Sequence, residues 1–287
     1  MKNLKKYLPY ILILIILAIA IYIWLVVLSN KDSKMLKVAF LDVGQGDAIY
    51  IETPNKKQVL IDGGKDSKLI YSLSKVMPFA DRSLDLVIIT HRDMDHIGGL
   101  PMLLEGYRVD RVIDNGAKGE TEVSNLIDEK IQNRSIEKVI ARDGMRITLD
   151  QKRNIYLDII YPNKEIEGMD LNDGSVVAKL IYGQNSFLFT GDAGVYAENL
   201  IMWEETEGDL DIDVLKLGHH GARSSSSLLW LEKTSPELAI ISAGKNNSYG
   251  HPHKEILERL ESLKIPFLST VDTGTILIKS DGQKLIY

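Results

Sequence analysis

The feature that most constrains this chain is a repeated event: an apolar, strand-like run ends, and a glycine-flanked set of histidines and aspartates follows at once. Leu86–Thr90 runs into His91-Arg92-Asp93-Met94-Asp95-His96 and then Gly98-Gly99. Phe187-Leu188-Phe189-Thr190 runs into Gly191-Asp192, and Val214–Leu217 into Gly218-His219-His220-Gly221. Ile241-Ser242 opens a polar loop that carries Lys245, Asn247, His251 and His253. All six histidines fall in these stretches. Packing histidines would fall anywhere, so the clustering favours a site. There is no cysteine, which excludes disulfides, thiolate metal ligation, a cysteine nucleophile and a cysteine-linked lipid. Any metal must be held by His, Asp or Glu.

Each stretch admits a chemical and a structural reading. In the first, His91 and Asp93 would face one way and Asp95 and His96 another, serving two neighbouring metal positions. The alternative is a solvated loop in which Asp95 caps a helix. Asp192 can bridge two cations, since a carboxylate has two acceptor oxygens, or it caps the helix that follows. One of His219 and His220 would complete the second position while its neighbour points elsewhere; His219 is preferred, with His220 the alternative. Arg223, Ser224 and Ser225 offer donors to an anionic substrate or start a helix with serine caps. The loop at 245–251 could hold a phosphoryl oxygen and protonate a leaving group through His251. His253 starts the next helix as a surface residue.

The amino terminus is a separate matter. Tyr7–Asn30 carries no charge and Leu8–Leu28 is almost wholly apolar. Twenty-one helical residues span about 30 Å, the thickness of a bilayer core. A cleavable leader has a shorter apolar region, about 7–15 residues, and a small-x-small site after it; here Ala18 and Ala20 lie inside the run. The expectation is an uncleaved signal anchor over 1–30 (transmembrane helix about 8–28), a polar stalk at 31–35 and one domain over 36–287. With Lys2, Lys5 and Lys6 kept in the cytoplasm, the domain would lie outside it in a single-pass topology. The chain has 34 Lys and Arg against 40 Asp and Glu. Without the anchor lysines its formal charge is about −9, which disfavours a large phosphate-binding surface.

Strand-like and helix-like stretches alternate from Leu36 on without a Pro- or Ser-rich linker. Helices are expected at Ser67–Val76, Gly98–Leu104, Glu120–Ile131, Ala193–Glu205, Ser226–Glu232 and Lys254–Leu263. The order suggests an α/β (α+β) domain of two sheets packed face to face with helices outside.

These residues, with Phe40-Leu41-Asp42-Val43-Gly44-Gln45-Gly46-Asp47-Ala48 and Leu60-Ile61-Asp62-Gly63-Gly64, resemble the metallo-β-lactamase superfamily, specifically the hydrolase domain of ComEC-type competence (DNA-uptake) proteins. The resemblance covers about residues 36–286. Asp93 stands where the superfamily usually has a second histidine, as in the ComEC-type branch, and Asn172–Ser175 and His251-Pro252-His253 are also like that branch. It implies a four-layer αββα sandwich with a dinuclear metal centre at one edge of the sheets. His91 and Asp93 would serve one ion, Asp95 and His96 the other, with Asp192 bridging and His219 or His220 completing the second. Two departures stand out. The further histidine commonly found before the Gly-Asp element is missing, with Asn172 or Asp173 in about that place. One apolar run cannot form the multi-span channel of the ComEC-type transporters, so no DNA import is expected.

The implied activity is that of a metal-dependent hydrolase, with two Zn²⁺ or Mn²⁺ ions activating a water. Asp95 and His251 are the candidate catalytic residues. Asp62, Asn172, Ser175, Ser224, Lys245 and Asn247 are candidate substrate-binding or supporting residues. A phosphodiester, DNA included, is the favoured substrate. A hydrolase of cell-surface phosphodiesters or esters of the teichoic-acid type, and a non-catalytic binding module, remain as alternatives.

Overall fold

The computed structural model describes residues 2–32, 35–119, 121–166, 168–204 and 210–287. Helix α1 (Lys2–Asp32) comes first. The first sheet begins with β1 (Leu36–Phe40), β2 (Ile49–Glu52) and β3 (Gln58–Ile61), followed by α2 (Lys68–Ser74). Next come β4 (Ser83–Leu84), β5 (Leu86–Ile89), α3 (Met94–Ile97), α4 (Leu100–Gly106), β6 (Arg108–Val109), β7 (Arg111–Asp114), α5 (Glu122–Asn133) and β8 (Glu137–Ile140). The second sheet holds β9 (Met145–Asp150), β10 (Ile155–Tyr161), β11 (Val177–Tyr182) and β12 (Asn185–Phe189). After α6 (Val195–Glu204) it continues with β13 (Val214–Lys216), α7 (Leu228–Thr234), β14 (Leu238–Ile241), α8 (Lys254–Leu263) and β15 (Phe267–Ser269). A short α9 (Thr270–Thr273) leads to β16 (Ile276–Ser280) and β17 (Leu285–Ile286), which return to the first sheet.

The strand orders are β17-β16-β1-β2-β3-β5-β7-β8 and β15-β14-β13-β12-β11-β10-β9, with β4 and β6 pairing separately. Both large sheets are mixed: β3, β5, β7 and β8 run parallel, as do β12 to β15. Alternation along each strand explains the layers. Val38 and Phe40 of β1 and Ile88 of β5 meet Leu157, Leu180, Phe187 and Phe189 between the sheets. Their neighbours Ala39, Leu60, Val87 and Ile89 face outward and are covered by Leu69, Leu73, Leu103 and Ile127 from helices. On the other side, Leu188, Leu215 and Ala239 are covered by Ala197, Ile201, Trp230 and Leu260. Both faces of each sheet are therefore buried, which is why the central strands read as continuous apolar runs. The product is an α/β sandwich with helices on both outer faces.

One expected helix differs. The helix expected at Gly98–Leu104 is α4, starting two residues later at Leu100, and an unexpected short helix, α3, precedes it, parted from it by Gly98 and Gly99. A Cβ at Gly98 would run into the Lys65 carbonyl, and Gly63 N–H donates to the His96 carbonyl at 2.6 Å. The loop after β3 thus packs directly on this junction, and a longer helix would exclude it.

In α1, the continuously described side chains are those of residues 9–24, all of them exposed. That stretch is shorter than the roughly 20 apolar residues a span requires. Among the described residues, no helix is long and apolar enough to cross a membrane.

Candidate metal centre

Asp62, His91, Asp192, the His219-His220 pair and Ser242 all follow the carboxyl ends of parallel strands, and they meet at one edge of the sandwich, where open sheets leave room for a ligand. His91 is fully buried just past β5. Its Nδ1 lies 3.0 Å from Thr90 Oγ and 3.3 Å from Ser175 Oγ. Its Nε2 faces Asp93 Oδ2 at 3.6 Å and Asp192 Oδ2 at 3.9 Å, with no hydrogen bond. His96, also fully buried, sits in α3. Its Nδ1 meets Asp62 Oδ2 at 2.8 Å and its Nε2 meets Asp192 Oδ1 at 3.2 Å. Asp62 is fixed in turn by the Thr90 N–H and hydroxyl, at 2.8 and 2.7 Å.

After β13 the chain makes a turn in which two consecutive non-glycine residues are left-handed: His219 (φ 45°, ψ 48°) and His220 (φ 56°, ψ 22°). Such backbone costs on the order of 1–3 kcal/mol per residue and persists only when the surroundings enforce it. Here His219 N–H donates to the Gly191 carbonyl (3.2 Å), Ala222 N–H to the His219 carbonyl (2.8 Å) and Ser225 Oγ to the Gly218 carbonyl (2.6 Å). His220 Nε2 comes within 3.4 Å of Asp95 Oδ2, 3.3 Å of Asp192 Oδ2 and 3.3 Å of His96 Nε2. It is therefore His220, not the preferred His219, that joins Asp95 and His96. His219 Nε2 lies 3.7 Å from Asp192 Oδ2.

Two residues without a role in the sequence reading complete the centre. Asp47 is buried behind the rings, with Oδ1 3.4 Å from His220 Nδ1 and Oδ2 4.0 Å from His96 Nδ1. Lys216, with no exposed surface, sets its ammonium against Asp47, donates to the Gly191 carbonyl at 2.8 Å and lies 3.9 Å from Asp192 Oδ1. Both had a signal in the sequence. A charged residue interrupts the apolar run Val214–Leu217, and Asp47 directly follows Gly44-Gln45-Gly46. At Gly46 (φ +114°) a Cβ would collide with the Asp95 carbonyl, so that turn presses Asp47 against α3.

Asp47, His96, Asp192 and His220 offer ligand atoms all within 4.8 Å of one another. Asp47 is already engaged by the Lys216 ammonium, so we assign it to orienting the rings rather than to ligation. The remaining set is rich in carboxylate and imidazole donors, which suits divalent cations. His91 Nε2 and Asp192 Oδ1 are buried atoms without a hydrogen-bond partner, as expected of ligands aimed at an ion. Without an ion, the cluster is held together by its own charges. Burial opposes ionisation of Asp192, yet His220 and His96 outweigh it and hold its carboxyl well below the usual range. Burial likewise opposes charge on His96 and His220, but Asp192, with Asp62 and Asp47 respectively, raises both well above an ordinary imidazole. Asp95 is lowered against its burial by His220 and His96.

The loop after β14 brings His251 to within 5.4 Å of the His219 ring, centroid to centroid. Asn247 holds it there, accepting from His251 N–H at 2.9 Å and donating to the His251 carbonyl at 2.6 Å. Burial, then His220 and His219, push His251 down to about 4. In the metal-free protein this favours the uncharged ring, which can donate a hydrogen bond. Ser175 Oγ accepts from Asp192 N–H at 3.1 Å, and Ser224 Oγ lies 3.4 Å from His219 Nδ1. Asn172 acts through its backbone, its carbonyl accepting from Ser175 N–H at 3.0 Å. Lys245 is exposed, and among the described residues its amine has no hydrogen bond or ion pair. His253 does precede α8, and its Nδ1 accepts from Arg223 N–H at 3.2 Å. The serine cap of α7 is Ser227, which accepts from Trp230 N–H at 3.2 Å. Beside Asp93 opens a cavity of about 560 Å³ lined in part by Arg92, Lys118, Ile140, Arg142, Met169 and Leu171.

The comparisons with known proteins agree with this geometry. Residues 41–245 match the metallo-beta-lactamase superfamily profile. The chain is 32% identical over 259 residues to ComE operon protein 3 of Bacillus subtilis (strain 168), a ComEC-type competence protein, covering 84% of this chain and 32% of that one. It thus spans about a third of that relative's length. It is 26% identical over 193 residues to the exodeoxyribonuclease WalJ of Streptococcus pneumoniae, covering 64% of this chain and 66% of that protein. Among solved structures, the metallo-beta-lactamase fold protein YhfI from Bacillus subtilis shares the fold, with a TM-score of 0.56 at 11% identity over 85% of this chain and all of that one. With its strand-end cluster of histidines and aspartates, the chain belongs to the metallo-β-lactamase superfamily.

Proposed function

We propose that this protein is a phosphodiesterase that acts on DNA or another phosphodiester with two divalent ions, Zn²⁺ or Mn²⁺, held around Asp192. The observation that carries the reading is the convergence of His91, His96, His219 and His220 on that one carboxylate, each within 4 Å. Bound there, the ions supply Lewis acidity to a phosphoryl oxygen and lower the pKa of the attacking water. The protein's own part is positioning. Asp62 and the Ser242 carbonyl fix the Nδ1 ends of His96 and His220, at 2.8 and 3.0 Å. Asp95, held ionised, can accept a proton from the attacking water. His251 offers a neutral N–H to a non-bridging oxygen, and the cavity beside Asp93, with Lys118 and Arg142 on its wall, gives the rest of the substrate room. The exodeoxyribonuclease relative supports a nucleic-acid substrate. The acidic balance of the chain, −6 overall, favours a second reading, a small or surface-polymer phosphodiester.

A membrane anchor belongs to the same proposal. Its support is the uncharged run Leu8–Leu28 between basic flanks and the exposure of residues 9–24; Lys2, Lys5 and Lys6 kept in the cytoplasm would place the domain outside it. Protease added to spheroplasts should then digest the domain; protection would place it inside.

The substrate test is direct. With Mn²⁺ or Zn²⁺ present, the full chain in mild detergent is given single-stranded DNA and a small chromogenic phosphodiester over a salt series. Cleavage of DNA with an affinity that falls steeply with salt supports the nuclease reading. Cleavage of the small diester alone supports the surface-polymer reading. Hydrolysis of neither removes phosphodiesters as the substrate class.

A further inference from the structure

The adjacent pair His219-His220 serves no purpose as a pair if one ring ligates and the other merely points away. The four imidazoles around Asp192 share one polarity. In each, Nδ1 is turned to a protein oxygen: Thr90 and Ser175 for His91 (3.0 and 3.3 Å), Asp62 for His96 (2.8 Å), Ser224 for His219 (3.4 Å) and the Ser242 carbonyl for His220 (3.0 Å). In each, Nε2 is turned to Asp192, at 3.9, 3.2, 3.7 and 3.3 Å. An outer oxygen that fixes one ring nitrogen so that the other faces inward is how ligating histidines are oriented.

We infer that the left-handed turn at 219–220 splits the pair between two metal positions, with His219 joining His91 and Asp93, and His220 joining His96 and Asp95, on either side of Asp192. This rests on the metal-centre reading above and deepens it. Each position then has two imidazoles, one carboxylate of its own and a share of Asp192. Without His219, the first would hold a single nitrogen ligand. Two further observations point the same way. His91 Nε2 is a fully buried atom with no hydrogen-bond partner, so it is aimed at something. The two left-handed residues lie between Gly218 and Gly221 and are pinned to the Gly191 carbonyl, next to Asp192. From that one short turn both rings reach Asp192, His219 Nε2 at 3.7 Å and His220 Nε2 at 3.3 Å, but only His220 also meets Asp95, at 3.4 Å. The rival role for His219, whose side chain keeps 27% of its surface exposed, is to give a proton to the substrate.

Metal counting separates these roles without reference to turnover. The metal-stripped full chain in mild detergent is titrated with Mn²⁺, and bound ions are counted from the free-Mn²⁺ spin-resonance signal, with the coupled-pair signal of the bound form recorded alongside. The parent should bind two ions per chain. His219→Gly, which suits the left-handed backbone, should bind one, without the coupled signal; His219→Asn, also tolerant of that backbone, should do the same. Ser224→Ala should keep two, the weaker of them loosened by about 10–100-fold. If both His219 variants hold two ions as tightly as the parent while turnover falls, the inference is overturned and His219 acts on the substrate. A parent that binds one ion overturns the inference but leaves a metal hydrolase. A parent that binds none, in folded form, overturns the metal-centre reading itself.

Discussion

Replacing Lys216 by methionine isolates what the buried cation contributes. The ammonium has no exposed surface; it contacts Asp47, donates to the Gly191 carbonyl at 2.8 Å and sits 3.9 Å from Asp192. Methionine nearly matches the length of the side chain and carries no charge, so the strand β13 keeps its packing while Asp47 is left without its ion-pair partner. Removing one member of a buried pair costs about 3–5 kcal/mol, and the low end applies here because the His220 and His96 rings still face Asp47, at 3.4 and 4.0 Å. At about 2–4 °C per kcal/mol for a domain of this size, the melting temperature should fall by about 10 °C. Thermal and urea melts of both proteins in excess chelator, at pH 7, measure this without a contribution from bound ions. Adding Asp47→Asn to Lys216→Met removes the stranded charge and should recover part of the loss. A single variant that melts within about 2 °C of the parent would refute the argument that Lys216 and Asp47 stabilise the strand-end site as a pair.

Other outcomes follow from the same contacts. Asp62→Ala leaves His96 Nδ1 without its 2.8 Å partner and should weaken metal binding by about 10–100-fold, measured by competition with a chromogenic chelator. In the metal-free protein, His96 and His220 are raised by Asp192, and Asp192 is lowered by them. The imidazole contribution is full below about pH 6.5 and fades as pH rises through the raised values; the carboxylate contribution is full above about pH 4 and fades in acid. Metal-free urea midpoints should therefore peak between about pH 4 and 6.5. Metal binding should release protons and tighten as pH rises, so a midpoint profile that climbs steadily to pH 8 without metal would contradict this charge state.

Much of the sandwich was legible because its central strands are covered on both faces and read as uninterrupted apolar runs: Leu86–Ile89, Phe187–Phe189 and Leu238–Ile241. Among the strands that escaped are the outermost ones, β8 and β9. In β8, Glu137 and Lys138 are exposed and only Val139 is half-buried, and β9 alternates exposed and half-buried residues along Met145–Thr148; neither carries an apolar stripe strong enough to announce itself. The ligand candidates were legible because the chemistry restricts them to histidine and aspartate, and these stand at strand ends. Which of His219 and His220 joins Asp95 was not, because the answer lies in left-handed dihedrals enforced by a distant carbonyl, that of Gly191. Lys216 was hidden for a related reason. A lysine is expected to face water, and its burial here depends on Asp47, which is about 170 positions away in the chain.

The role of Asp192 decides the account. All four imidazoles turn toward it, so Asp192→Asn keeps the shape and removes the charge they share. Turnover of a small chromogenic phosphodiester by the parent, dependent on Mn²⁺ or Zn²⁺ and abolished by a chelator, should fall by at least about 10³-fold in the variant, equivalent to about 4 kcal/mol of transition-state stabilisation, with the bound metal lost as well. A folded variant that keeps its metal and turns over within about tenfold of the parent would contradict the claim that this carboxylate is the centre of the site.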